Sequence, residues 1–323
     1  MYTSLKVRRS TGSINMDQHS VRNVTVDSHT GSWLSFVYRL NCELESFIKE
    51  GSLEENAPSL FSWLTDERNL YFGCQVTINK AAVAGPDGIE LSEEPETLLW
   101  EWCRQARNEL RAGEYLIGKP RKLKLDKSSG GHREIHVFNQ VDSSVKRAVL
   151  AVIHPVLDRT LKPMCHGGRV GYGLWSARKS LVDMFNRTGN TFLVVQDIKG
   201  AFDNVPLGRL FQIVRKSLPC TEICDLIESI VKSQPRKSGT RGISQGSVLS
   251  PILLNCYLSH FVDSELSMES ASTAIRYIDD ISLLCGSHAD GHDVSSELSQ
   301  LITRAGLKAK FRCKDAIHDL QRD

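Results

Sequence analysis

The sequence predicts an α+β protein, with helices gathered in its leading part and strands further along. Three observations predict it. Trp33, Phe36, Val37, Leu40, Leu44, Phe47 and Ile48 recur at helical spacing. A fully apolar run over 192–195 closes on Gln196 and Asp197, as a buried strand would. Residues 272–285 place two adjacent acids, Asp279 and Asp280, between Ile275, Tyr277 and Ile278 on one side and Ile281, Leu283 and Leu284 on the other. β-Branched and aromatic enrichment makes that run a strand pair, with the two acids at its turn.

The whole chain narrows the choice further. With 323 residues it can bury a large core, as one large domain or two. A hydrophobic fraction of 41% and a charged fraction of 24% are those of an ordinary soluble protein. The net charge of +2 is too small to announce a nucleic-acid partner, which needs local clustering rather than bulk excess. Nine cysteines, spread singly, suit a reducing cytoplasm and not a disulfide framework. Cys220 and Cys224 lack the second pair that a zinc site needs. Lys6, Arg8 and Arg9 precede no apolar run, so no signal peptide is expected, and no stretch is long and apolar enough for a membrane span.

Taken in order, residues 1–31 are polar, without periodicity, and are expected to be a flexible tail. Residues 32–118 are expected to be mostly helical: one helix from Trp33 to a stop at Gly51, an amphipathic stretch around Leu60–Leu70, a turn at Gly85-Pro86-Asp87-Gly88, and a helix face of Leu98, Leu99, Trp102, Ala106 and Leu110. Residues 119–133 then concentrate Lys119, Arg121, Lys122, Lys124, Lys127 and Arg133 around Gly130-Gly131. The alternation of Lys122-Leu123-Lys124-Leu125 and Glu134-Ile135-His136-Val137 predicts a basic hairpin, which suits either a polyanion or a solvated sheet edge.

Val145, Val149, Leu150, Ile153, Leu157 and Leu161 predict a long helix, bent or divided at Pro155. His166 to Gly173 holds four glycines, the mark of a tight loop or of backbone in close approach, but not of a nucleotide-binding P-loop. A helix over 176–187 leads into the strand that ends at Asp197, and a further helix begins near Pro206. An acid at the end of a buried strand is costly without a partner, and a metal ion would supply one. Helices over 207–218 and 221–234 precede Gln245-Gly246-Ser247-Val248-Leu249-Ser250-Pro251, where Ser250 reads as an N-cap and Pro251 as the first helical residue. Leu253, Leu254, Leu258, Phe261 and Val262 would be its buried side. His288, Asp290, His292 and Asp293 read as a polar surface loop beyond the acidic hairpin.

The order of these features resembles a reverse transcriptase, and within that family the bacterial group II intron type and its relatives. Asp197-Ile-Lys-Gly-Ala-Phe-Asp-Asn-Val is similar to the family's first carboxylate motif, Gln245-Gly-Ser-Val-Leu-Ser-Pro to its second, and Tyr277-Ile-Asp-Asp to its third. The resemblance runs from Lys119 to Lys314, with Gly306-Leu307-Lys308 similar to the start of a fourth motif. It implies a right-hand polymerase, fingers plus palm, over residues 119–323, with an antiparallel palm sheet packed on helices.

The resemblance also implies roles. Asp197 and Asp279 would ligate two Mg²⁺ ions, or Mn²⁺ as a substitute, with Asp280 completing the acidic cluster and the Ile198 carbonyl as an additional ligand. Lys127 and Arg133 match the family's Lys-x5-Arg pattern and would hold the incoming triphosphate. Phe202 matches the aromatic gate that favours dNTPs, while Gln245 and Gly246 would line the nucleotide and template pocket. Arg169 matches a family segment in the glycine-rich loop. Ile278 stands where the intron branch commonly has Ala. The implied activity is RNA-directed DNA synthesis on a primer 3′-hydroxyl, with an RNA template and a DNA or RNA primer as partners. An RNA-directed RNA polymerase fits less well, because such enzymes usually carry an acid in place of Phe202 and Gly in place of Ile278. Template-independent or protein-primed DNA synthesis in phage defence is the alternative, and an inactive RNA- or partner-binding remnant is another. No stretch reads as the family's primer grip and thumb, so another protein would supply the thumb's role, or the chain is a truncated copy.

Overall fold

The computed structural model describes residues 5–9, 12–16, 31–80, 82–126, 132–235 and 238–322. Within the leading stretch, β1 (Leu5–Arg9) and β2 (Gly12–Met16) pair antiparallel. The helices that follow are α1 (Gly31–Glu50), α2 (Ala57–Leu64), α3 (Glu67–Asn79) and α4 (Glu96–Ala112). Trp33, Leu40, Leu44, Leu60, Leu64, Leu70, Leu99 and Leu110 are all buried, which accounts for the helical period of the sequence.

The amphipathic stretch expected around Leu60–Leu70 is two helices. Thr65 ends α2, and the Asp66 side chain caps α3 by accepting from the Arg68 backbone N–H at 2.9 Å. The next long helix, α5 (Gln140–Asp158), continues through Pro155 rather than dividing there. It crosses α3 so closely that a Cβ at Gly73 would lie 2.1 Å from the Ser144 carbonyl oxygen. Only glycine admits that crossing.

Between α4 and α5, β3 (Arg121–Asp126) and β4 (His132–Val137) form the expected antiparallel hairpin, with Leu125 opposite Arg133. The Gly130-Gly131 turn lies outside the described residues. After α6 (Leu174–Thr188) come β5 (Phe192–Asp197), the single turn α7 (Ala201–Asn204), α8 (Leu207–Ser217) and α9 (Thr221–Ser233). Then α10 (Ser250–Leu258) runs into a π-helical turn, Ser259–Asp263. Leu249 is the N-cap of α10, one residue before the expected Ser250, and Ile252 to Leu258 are buried all round rather than on one face.

The chain closes with α11 (Met268–Ser272), β6 (Ala274–Tyr277), β7 (Asp280–Cys285), α12 (His288–Arg304) and β8 (Ile317–Asp319). His288 to Asp293 open α12, with Ser287 as cap, and are not the loop expected of them. The sheet has the order β6-β7-β5-β8, every pair antiparallel. Val194, Ile281 and Leu283 are fully buried on its inner side, and Gly291 of α12 sits against Val194 and Ile317. No helix of the described residues is long and apolar enough to cross a membrane.

Candidate active site

The sheet brings the two acidic motifs together at one end. Along β5 and β7 the register runs from Phe192 opposite Cys285 to Asp197 opposite Asp280. Tyr277 of β6 also pairs with Asp280. The connection between β6 and β7 is therefore only Ile278-Asp279, and Asp280 is the first residue of β7 rather than part of the turn. Ile278 has φ +61°, and among the described residues it is the one non-glycine at positive φ. Two-residue hairpins prefer such a first central residue because its twist matches the strands, but they usually recruit glycine for it. A β-branched residue there is strained.

Two carboxylates directly opposite one another repel. Burial at the sheet end raises the Asp280 carboxyl above its ordinary value, the facing Asp197 adds to this, and Lys310 opposes it. Lys310 makes an ion pair with Asp197 Oδ2, which raises its own ammonium. Its backbone N–H also donates to the Asp197 carbonyl at 2.8 Å. The segment carrying Lys310 runs alongside the strand end: Lys199 N–H donates to the Lys308 carbonyl, and Ile198 bridges Ala309. The fully buried Gln196 clamps it, accepting from Phe311 N–H at 2.9 Å and donating to the Phe311 carbonyl at 3.1 Å.

Neither Lys310 nor Gln196 was singled out from the sequence. The fourth-motif resemblance pointed only to Lys308 and Lys314, and a lysine two residues from the matched triplet gave no signal of its own. The Ile198 carbonyl already accepts from Ala201 N–H at 3.2 Å, and the Ile198 N–H donates to the Asp279 carbonyl at 3.3 Å.

Among the described residues, no three carboxylate, imidazole or thiol side chains converge closely enough to hold an ion as they stand. The donors that do meet are carboxylate oxygens, the hard ligands that Mg²⁺ takes, and an ammonium already sits against one of them. In their chemistry these residues fit a divalent cation.

The remaining predicted residues surround this end of the sheet unevenly. Phe202 is half-buried in α7, and its carbonyl accepts from Ile243 N–H at 2.8 Å. The Gln245-Gly246 loop is pinned from three sides. The Gln245 carbonyl accepts from the backbone N–H of His136 on β4 at 3.0 Å, and the His136 ring bonds Ser244 Oγ. Gln234, just beyond α9, accepts from Ser244 N–H at 3.1 Å, and Ser250 Oγ donates to the Ser244 carbonyl at 2.6 Å. Gly246 has φ +102°, and a Cβ there would lie 2.7 Å from the His136 carbonyl oxygen. The basic hairpin thus docks onto the glutamine loop through His136, a residue with no signal of its own in the sequence. Lys127 lies outside the described residues; Arg133 belongs to β4, opposite Leu125.

The family model described as reverse transcriptase (RNA-dependent DNA polymerase) matches residues 124–312, more than half of the chain. The chain belongs to the reverse transcriptase family. The four-stranded antiparallel sheet is its palm, packed on helices. Group II intron-encoded protein LtrA of Lactococcus lactis subsp. cremoris is 26% identical over 197 residues, covering 59% of this chain and 32% of its own length. Protein YkfC of Escherichia coli strain K12 is 24% identical over 213 residues, covering 62% and 55%. An uncharacterized 91 kDa protein in the cob intron of Schizosaccharomyces pombe is 28% identical over 154 residues, covering 46% and 19%. These relatives place the chain with the group II intron-like reverse transcriptases, and it spans between 19% and 55% of their length. A solved telomerase from Candida albicans, in complex with the TWJ fragment of telomeric RNA, aligns at TM-score 0.48 and 12% identity, over 70% of this chain and 47% of that one.

Proposed function

We propose that this chain is an RNA-directed DNA polymerase that adds dNTPs to a primer 3′-hydroxyl at the end of the β5–β7 sheet. One observation carries the reading: Asp197 stands directly opposite Asp280, one residue beyond the turn that presents Asp279. Held by Asp197, Asp279, Asp280 and the Ile198 carbonyl, two Mg²⁺ ions (or Mn²⁺) would supply the Lewis acidity that activates a 3′-hydroxyl and stabilises a departing pyrophosphate. The protein's own part is positioning. The register of β5 and β7 brings the Asp197 and Asp280 backbones together before substrate arrives, which limits the reorganisation needed as charge develops. Lys127 and Arg133 would pair with the triphosphate, Phe202 would crowd a ribose 2′-hydroxyl, and Gln245 with Gly246 would line the nucleotide and template pocket. The docking of β4 on the Gln245 carbonyl supports this, because it ties triphosphate and base contacts to one frame. An RNA template and a DNA or RNA primer would be the partners.

Primer extension on an RNA template tests the reading, with dNTPs or NTPs, a no-template control and Asp279→Asn. Template-dependent dNTP incorporation that falls at least about 100-fold in the variant is expected, since positioned charge carries phosphoryl transfer. A folded Asp279→Asn protein as active as the parent would refute it. Incorporation without template would point instead to untemplated synthesis.

A further inference from the structure

A second constellation lies just beneath the acidic turn. Arg276, in β6, is fully buried, as are Asn255 of α10 and the Asp263 side chain at the end of the π-helical turn. Arg276 Nε donates to Asp263 Oδ1 at 2.9 Å and Nη2 to Oδ2 at 2.7 Å, a two-pronged pair. Arg276 Nη1 is aimed elsewhere, donating to Asn255 Oδ1 at 2.8 Å and to the Ile278 carbonyl at 2.8 Å. The amide nitrogen of Asn255 donates in turn to the Gly167 carbonyl at 2.7 Å.

The glycine-rich loop closes the cage. His166 N–H donates to the Arg276 carbonyl at 2.8 Å, and a Cβ at Gly167 would lie 2.7 Å from the Ile278 nitrogen. Arg169 holds that loop from behind, paired with Asp158 at 2.8 Å and bonded to the Cys165 carbonyl at 3.1 Å. The π turn has a part in this, because it brings Asp263 and Asn255 to the same arginine. In an unbroken α-helix those two positions would be offset by about 80°. The i→i−5 bond from Ser264 N–H to the Ser259 carbonyl widens the turn and reduces that offset.

We infer that Arg276, held by Asp263 and Asn255, is the positioning residue that keeps the strained Ile278-Asp279 turn in its working conformation. A burial this complete is expensive for a guanidinium, and the pair it forms is poor evidence of a stability gain. What the arrangement does secure is the Ile278 carbonyl, on the residue whose left-handed backbone immediately precedes Asp279. The inference rests on the proposed role of Asp279, and it says how that carboxylate is aimed.

The test uses the full chain with Arg276→Lys and Asn255→Ser. The lysine keeps the charge opposite Asp263 but cannot also reach the Ile278 carbonyl through a second fork. The serine removes both amide bonds and leaves the ion pair intact, so it carries the test if the lysine variant does not fold. Hydrogen–deuterium exchange over 274–285 is expected to rise at least tenfold in the turn. The kcat for primer extension is expected to fall tenfold or more while the KM for dNTP stays within twofold. Adding Ile278→Gly should recover at least threefold of the lost kcat, because glycine adopts the turn's positive φ without being held there. Unchanged exchange with kcat within twofold, in either folded variant, would overturn the inference, as would a double variant that recovers nothing. Failure of the proposed activity would appear separately, as Asp279→Asn retaining full rate, and the exchange measurement would still read the turn.

Discussion

Removing the Lys310 ammonium should make the acidic end of the palm sheet bind Mg²⁺ more tightly. Lys310 is paired with Asp197 Oδ2, while its side chain remains 50% exposed and that of Asp197 22%. An ion at Asp197 has to displace or share that ammonium. Exposed pairs contribute about 0.2–1 kcal/mol, and the shielding of Asp197 puts this one at the upper end, about 1 kcal/mol. At 1.4 kcal/mol per tenfold, losing the competitor should lower the half-saturating Mg²⁺ concentration about fivefold. Lys310→Met keeps the length of the side chain and deletes the charge. Thermal unfolding followed across a MgCl₂ titration at constant ionic strength reads the effect, since an ion that binds the folded state raises the melting temperature. Without divalent ions the variant should melt slightly below the parent, because Asp197 and Asp280 then face each other uncompensated. With saturating Mg²⁺ the difference should close or reverse. A half-saturation that is unchanged or raised in Lys310→Met would refute the reasoning. Asp197→Asn is the control in which both the pair and the ion response should be lost.

Two further outcomes follow from other contacts. Gly246→Ala should lower the unfolding free energy by about 2 kcal/mol, because the new methyl meets the His136 carbonyl oxygen at 2.7 Å in a backbone at φ +102°; a urea midpoint within error of the parent would count against that close approach. Lys146 is buried over the Phe138 ring, its Nζ without a hydrogen-bond partner among the described residues, and burial pushes its ammonium down to about 7. The unfolded chain keeps that proton up to 10.5, so stability from this group is lowest below pH 7 and rises through the window up to pH 10.5. Lys146→Met should therefore stabilise by about 2 kcal/mol at pH 6.5 and by progressively less toward pH 10, as urea melts at the two pH values would report. An equal effect at both would show that the lysine is not buried as a charge.

The acidic motifs were legible because their chemistry is local. A strand that ends on Asp197 and a hairpin that carries Asp279 and Asp280 need only short-range alternation and turn residues, and the antiparallel palm sheet came with the family resemblance that these motifs carry. Helix positions were legible for the same reason, since apolar period reports which face is buried. Errors fell where a boundary depends on something outside the pattern. Asp66 splits one amphipathic stretch into two helices by capping, and His288 to Asp293 became a helix start because Ser287 caps them.

What the tertiary structure alone decided is which distant residues share a site. Nothing in the order of residues ties Lys310 to Asp197, because that contact depends on the Gly306–Phe311 segment returning along the strand end, clamped by Gln196. His136 meets Gln245 only once the β3–β4 hairpin docks on the glutamine loop. Arg276 has no signal of its own in the sequence; only the folded chain shows it wholly buried, joined to Asp263 and Asn255 and to the carbonyl before Asp279. The sequence by itself determined the class of fold, the family motifs and the carboxylates, since these depend on local pattern. The register opposing Asp197 to Asp280, the ammonium beside Asp197 and the buried support of the Ile278-Asp279 turn required the chain to close, because long-range contacts leave no period in a sequence.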